Sequence, residues 1–301
     1  MMELTQHIRE LALSSGADLI GFAPLSRYDG APARYHPHRI FPQARSIIAF
    51  ALTQPRGSLK TVEEGTSWGS YNGDAYHYLN IIEAPRIARI LIREMEKDGY
   101  TSVAVRNPFF ENTGTVIRED CPAGPDGLIS LRLAGVVCGL GELGHSKIFL
   151  TPQYGPRQRV YAILTDAEFE PTPLFRGKIC DDCGLCVREC QAGAIGRERD
   201  VKFTIEDREF SHASFDPQKC LRIHQGLDPD VSPFWTGQEK EDQVPAFNRS
   251  VWAYYHHLAV CVGRACLRSC LDHLEKTGRI EASFRTPMVH GKRWERPKKL
   301  E

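Results

Sequence analysis

The stretch "CDDCGLCVREC" sets Cys180, Cys183, Cys186 and Cys190 in a CxxCxxCxxxC run. Runs of this spacing wrap three thiolates around one face of a 4Fe-4S cubane and send the fourth to a different cluster, so the chain must fold back to complete two sites. The missing ligands stand downstream: Cys220 ends "FDPQKC", and "CVGRACLRSC" supplies Cys261, Cys266 and Cys270. The crossing rule then puts Cys180, Cys183, Cys186 and Cys270 on one cluster and Cys190, Cys220, Cys261 and Cys266 on the other. Zinc is the competing assignment, but one tetrahedral zinc takes four ligands, drawn as a rule from two separated pairs. The run departs from the usual form at Gln191 and Leu271, where proline normally follows, and in the longer gap from Cys261 to Cys266. Those departures bear on loop shape more than on ligation.

Two of the ten cysteines are left over, Cys121 and Cys138, and neither has a partner at ligand spacing. They read as small buried hydrophobes. The opening "MMELTQHIRELALSSGADLIGF" has no basic run before an apolar core and no twin arginine. The expectation is a cytoplasmic protein whose thiols stay reduced, which favours metal over disulfides. No apolar run is long enough to span a membrane. Lys plus Arg equals Asp plus Glu at 38 each, so no global positive field draws the chain to nucleic acid or an anionic surface. Nucleic acid is therefore an unexpected partner.

Apolar spacing predicts a helix in "LTQHIRELALSS" stopping at Gly16, and strands in "LIGFAPL" and "SIIAFALT". In "EAPRIARILIREMEKDGY", Pro85 suits a first turn, Ile87, Leu91 and Met95 form one stripe, and Gly99 follows the end. "VYAILTD" reads as a strand and "AEFEPTPLF" as a linker. Composition shifts to cysteine after it, so the division is 1–175 and 176–301, with "VKFTIEDREFSHASFD" as a hairpin between the metal motifs.

"CGLGELGHSK" carries Gly139, Gly141 and Gly144 in the GxGxxG spacing of a dinucleotide loop. A true dinucleotide loop follows a strand and opens a helix, so that pyrophosphate meets the helix N-terminus. Here "LISLRLAGVVCG" suits a helix before the loop, and "KIFLTPQYGPRQRVYAILTD" reads strand, turn, strand after it. These flanks are reversed, and neither NAD nor NADP is expected at the loop.

The stretch "AGVVCGLGELGHSKIFLTPQYGPRQRVYAILTD", followed by the double cysteine set, resembles the epoxyqueuosine reductase and reductive dehalogenase group of corrinoid iron-sulfur reductases; "YHYLN" extends the likeness towards the N-terminus. The resemblance implies an α+β protein: a nitroreductase-like α/β domain holding cobalamin, then a ferredoxin-like domain with two 4Fe-4S clusters. It further implies that the glycine loop and the "TPQYG" turn approach the corrinoid, through Gly139, Leu140, Gly141, Gly144, Lys147, Thr151 and Gly155. The chain has no DxHxxG segment, and the group is expected to bind cobalamin base-off, with no side chain on the lower cobalt face.

Cobalt reduction needs low-potential electrons one at a time, which two clusters in series supply. The implied reaction is reductive cleavage of a carbon-oxygen or carbon-halogen bond of a small organic substrate, fed by a ferredoxin or flavodoxin. Candidate proton donors are Asp126, Arg132, His145 and Tyr154, with Glu142 in reserve. Asp126 stands in "PDGLISLRLAG", which does not preserve the aspartate-threonine-glycine-proline segment of epoxyqueuosine reductases. Tyr71, Tyr76, His77 and Tyr78 are candidates for a cavity wall or for aromatic core contacts. His256 and His257 are not needed as metal ligands. Two other classes fit the composition: an electron carrier without corrinoid, and a nicotinamide or flavin enzyme with attached clusters.

Overall fold

The structure is a computed structural model that describes residues 1–30, 36–64, 66–67, 69–105, 129–224 and 266–288. Asp126, Cys121, Cys261, His256 and His257 lie outside the described residues.

The fold is mixed α/β around one antiparallel sheet. Strands β1 (Leu19–Pro24), β2 (Ser46–Thr53), β6 (Gln158–Thr165) and β3 (Ser102–Val105) lie in the order β1-β2-β6-β3, and every neighbouring pair is antiparallel. The "SIIAFALT" run is continuous rather than alternating because both of its faces are covered: Ile47 to Phe50 are fully buried. Helices α1 (Met2–Ser14) and α4 (Ala84–Lys97) cover one face, where Ile8, Ile87, Leu91 and Met95 meet Ile48, Phe50 and Ile163. Pro85 occupies the first turn of α4, and Gly99 adopts φ +83°, a left-handed position that a Cβ strains. Helix α5 (Leu131–Val137) covers the other face through Ala134, Val136 and Val137.

Two short strands follow α5, β4 (Glu142–Leu143) paired with β5 (Phe149–Leu150), so the glycine loop runs from a helix into a hairpin. Strand β6 comes next. The segment read as a linker is instead packed along β1. Phe22 N–H donates to Thr172 Oγ1 at 3.0 Å, Thr172 N–H donates to the Phe22 carbonyl at 2.9 Å, and Ala167, Phe169 and Leu174 are buried. Its prolines forgo N–H groups that this edge pairing does not use. Buried Arg27 ties the segment down by donating to the carbonyls of Val137 at 2.7 Å and Thr172 at 2.9 Å, and to Glu206 Oε1 at 2.6 Å.

Beyond residue 175 come α6 (Leu185–Arg188), the hairpin β7 (Val201–Ile205) and β8 (Arg208–His212), α7 (Pro217–His224) and α8 (Cys266–Lys276). Two earlier helices precede α4: α2 (Arg56–Glu64) and the single turn α3 (Gly69–Tyr71), which runs into a π-helix over Asn72–Glu83. Helix α8 packs on α2. Leu59 and Val62 share an apolar cluster with Ile179, Leu271, Leu274 and Ile280, flanked by the ion pairs Arg56–Glu275 at 2.8 Å and Arg268–Glu63 at 3.1 Å. The two halves of the chain thus share a core. No helix among the described residues is long and apolar enough to cross a membrane.

Candidate metal and redox site

The turn after Ile179 wraps tightly because Asp182 at φ +59° and Gly184 at φ +71° reverse the backbone twice before α6. Cys186 lies on α6 and Cys190 two residues beyond its end, while Cys266 and Cys270 stand one helical turn apart on α8. The Cys270 thiol is pushed up well above its ordinary range, first by burial and then by Cys180, Cys186, Cys183 and Cys266. Cys266 is pushed up to about 12 by burial and then by Cys220 and Cys190. Cys220 is raised by burial and by Cys190. The structure therefore gathers the described cysteines of both motifs in one region, with Cys180 and Cys270 packed against one apolar cluster and Cys186, Cys190 and Cys266 in another.

Crowded buried thiols repel as thiolates, and a metal removes that penalty by holding them deprotonated. Hydrogen-bond donors already face the sulfurs. His145 N–H points at Cys180 Sγ at 3.4 Å, Arg199 Nη2 donates to it at 3.2 Å, and Ala194 N–H points at Cys190 Sγ at 3.3 Å. Sulfur ligands in two adjacent sets, with N–H groups aimed at them, fit iron-sulfur clusters. Asp181, Cys183 and His273 also gather their ligand atoms within 4.8 Å, but Asp181 is engaged by His273 at 2.8 Å and Arg279 at 3.2 Å.

The glycine loop serves this site from within the protein. Glu142 Oε1 accepts the N–H groups of Ile179 at 2.8 Å and Cys180 at 2.7 Å. A carboxylate held in reserve as a proton donor is thus the anchor of the first cysteine. Glycine is required by the chain's own backbone: a Cβ at Gly141 would stand 1.9 Å from the Leu150 carbonyl oxygen, and one at Gly139 2.2 Å from that of Pro173. The close approach expected towards a corrinoid is made to the protein itself at both positions. A Cβ at Gly144 meets Leu150 Cδ1 at 3.0 Å, and Gly155, at φ +61°, faces Ile280 and Leu274. Thr151 is fully buried and pairs with Gly155, Leu140 is at the edge of the core, and Lys147 turns at φ +64° to donate its N–H to the Gly144 carbonyl. Among the described residues, protein atoms stand within 3.4 Å of a Cβ built at each of the four glycines of this set.

Three of the proton-donor candidates, Arg132, His145 and Tyr154, are among the described residues, and each stands in a defined place. His145 is buried beside the first thiol set, its Nε2 3.0 Å from the Gly196 carbonyl oxygen and its Nδ1 3.8 Å from Asp182. Arg132 donates to the Lys147 carbonyl at 3.2 Å, and its charge lowers the Cys220 and Cys266 thiols against the larger effect of burial. Tyr154 lies in the 151–155 turn, with its N–H on Thr151 Oγ1, and residues 281 and 282 dock onto that turn through the carbonyls of Pro152 and Gln153. Among the aromatic candidates, Tyr71 and Tyr76 meet in a T-shaped contact with ring centroids 5.8 Å apart, Tyr76 OH lies 2.9 Å from His224 Nε2, and Arg159 sits over the Tyr76 ring at 4.5 Å. Tyr78 is exposed. Sequence reading missed Arg199 and the anchoring role of Glu142, since neither belongs to a spaced motif.

With this geometry in place, comparison with known proteins is informative. No family model matches the chain. A tetrachloroethene reductive dehalogenase of Desulfitobacterium hafniense is 39% identical over 109 residues, covering 33% of this chain and 20% of the relative. An epoxyqueuosine reductase of Listeria monocytogenes serovar 1/2a is 26% identical over 174 residues, covering 54% of this chain and 39% of the relative. Among solved structures, a catabolic reductive dehalogenase superposes with TM-score 0.54 at 17% identity, over 92% of this chain and 38% of the other. The chain is thus similar over part of its length to epoxyqueuosine reductases and reductive dehalogenases. Its named relatives are reductases, and it spans well under two thirds of the length of these two curated relatives. One epoxyqueuosine reductase was solved with a tRNA stem loop, at TM-score 0.44 and 20% identity.

Proposed function

We propose that this chain is a cytoplasmic, corrinoid-dependent iron-sulfur reductase that cleaves a carbon-oxygen or carbon-halogen bond of a small organic substrate with electrons from a ferredoxin or flavodoxin. In this reading residues 1–175 are a nitroreductase-like domain, residues 176–301 are a ferredoxin-like domain, and cobalamin binds base-off. The observation that supports the reading is the gathering of cysteines from both motifs, with N–H donors 3.2–3.4 Å from Cys180 Sγ and Cys190 Sγ. Cys180, Cys183, Cys186 and Cys270 would hold one 4Fe-4S cluster, and Cys190, Cys220 and Cys266, with Cys261, the other. Adjacency matters because electrons arriving singly must pass between the clusters. The corrinoid supplies reducing power and nucleophilicity at cobalt when bound; this chain's residues hold the electron path beside it. No corrinoid contact is assigned to Gly139 or Gly141, whose free space the protein fills.

That same filling favours a second reading, an electron-transfer protein with the same clusters and no corrinoid. Anaerobic reconstitution separates the two. Iron and acid-labile sulfide should approach two cubanes per chain, and after addition of hydroxocobalamin and gel filtration the ultraviolet-visible spectrum should retain corrinoid bands. Clusters without retained corrinoid establish the second reading. Tightly bound zinc with no sulfide defeats both.

A further inference from the structure

We propose that Arg199 is a positioning residue for the first thiol set, holding the reduction potential of the cluster bound by Cys180 above the value the cysteines alone would set. The inference rests on the cluster reading above and deepens it. Arg199 precedes the β7–β8 hairpin, and its guanidinium is shared among three partners. Nη2 donates to Cys180 Sγ at 3.2 Å, Nε donates to Asp182 Oδ1 at 2.6 Å, and Nη1 donates to the Ser211 carbonyl on β8. A side chain fixed at three points cannot swing to solvent. The hairpin that supplies it is itself held, since Arg27 pairs with Glu206 in its turn, Phe203 stacks on Phe210 at 5.5 Å, and Ala213 N–H donates to the His145 carbonyl at 2.8 Å.

Reducing a cluster by one electron adds one negative charge, spread over the sulfurs. A cationic N–H donor on a ligand sulfur stabilises the reduced form more than the oxidised form, so the potential rises. The Asp182 carboxylate opposes part of that charge, but it is also faced by Lys178 at 3.6 Å and His145 at 3.8 Å, so the arginine's charge is not wholly spent on it. The second set draws Ala194 N–H to Cys190 at 3.3 Å, a neutral donor. Arg199 donates to a sulfur of the first set, whereas the charge nearest the second set is that of Arg132, so the second cluster serves as an internal control for Arg199.

The test is a redox titration of the reconstituted full chain followed by electron paramagnetic resonance, for the wild type, Arg199→Gln and Arg199→Lys. The glutamine variant should lower the reduction equilibrium constant of one cluster by about tenfold, or ~59 mV for a one-electron couple. The other cluster should not move. Lysine, keeping the charge without the planar fork, should shift the same cluster less. If Arg199→Gln does not retain the cluster, Arg199→Lys decides alone: a lowered potential supports the proposal and an unmoved one overturns it. Unmoved potentials, or equal shifts of both clusters, overturn it while leaving the two-cluster reading intact. A wild-type chain that assembles no cluster defeats that reading first, and this inference with it.

Discussion

Around the sheet, Ile47, Ile48, Phe50, Ile87 and Leu91 are fully buried against one another, whereas the apolar cluster beside the second thiol set is Cys186, Ile195 and Ala213. The first region can be held by hydrophobic burial at ~25 cal/mol per Å². The second offers, among the described residues, less apolar surface to set against the entropy of ordering its turns. It is tied down by docking α8 on α2, by Glu142 and Arg199, and, in the proposed holoprotein, by metal. The difference teaches where each region should fail.

Metal withdrawal should have the largest effect. Chelating the reconstituted protein should strip hydrogen-exchange protection from the segments around α6, α7 and α8 while β2 and β6 keep theirs, because cluster binding contributes folding free energy only where the ligands are. Equal loss in both regions would erase the contrast. Next comes Gly141→Val, which sets carbon 1.9 Å from a backbone oxygen; neither strand of the β4–β5 pair can yield cheaply, and a loss of about 3 kcal/mol in chemical denaturation is expected. Corrinoid exclusion without destabilisation would instead show the loop to be a cofactor cradle.

A smaller, more local loss should follow Glu275→Gln. It leaves the Arg56 guanidinium, 6% exposed, without its carboxylate. Breaking a buried pair on one side costs about 3 kcal/mol or more when no other partner compensates; Phe284 lies 4.5 Å from Arg56, so roughly 2 kcal/mol is expected. The readout is lower protection of α8 with β2 unchanged. Smallest of all is Arg176→Ala, which removes an exposed pair with Asp207 at 2.8 Å. Such pairs are screened by water and salt, and no change in melting temperature is expected.

Legibility followed range along the chain. The α4 stripe of Ile87, Leu91 and Met95, the β2 run and the β7–β8 hairpin are written in local periodicity, and the structure has each of them. The reversed flanks of the glycine loop were also readable, since α5 and β4 are set by neighbouring residues. What could not be read was what the glycines face. Pro173 and Leu150 reach Gly139 and Gly141 only after the sheet has closed, and the packed segment at 167–174 looks like a linker until β1 lies beside it.

The sequence by itself determined the spacing of the thiols, and with it which of them a short turn can bring to one place, and it determined the helices and strands whose apolar period is local. Only the tertiary structure decided the surroundings of those thiols. Glu142 meets Cys180 across 38 residues, Arg199 meets it across 19, and Arg56 meets Glu275 across 219. Contacts at such separations leave no periodic trace, since each is made by one side chain that the folded backbone carries to its partner.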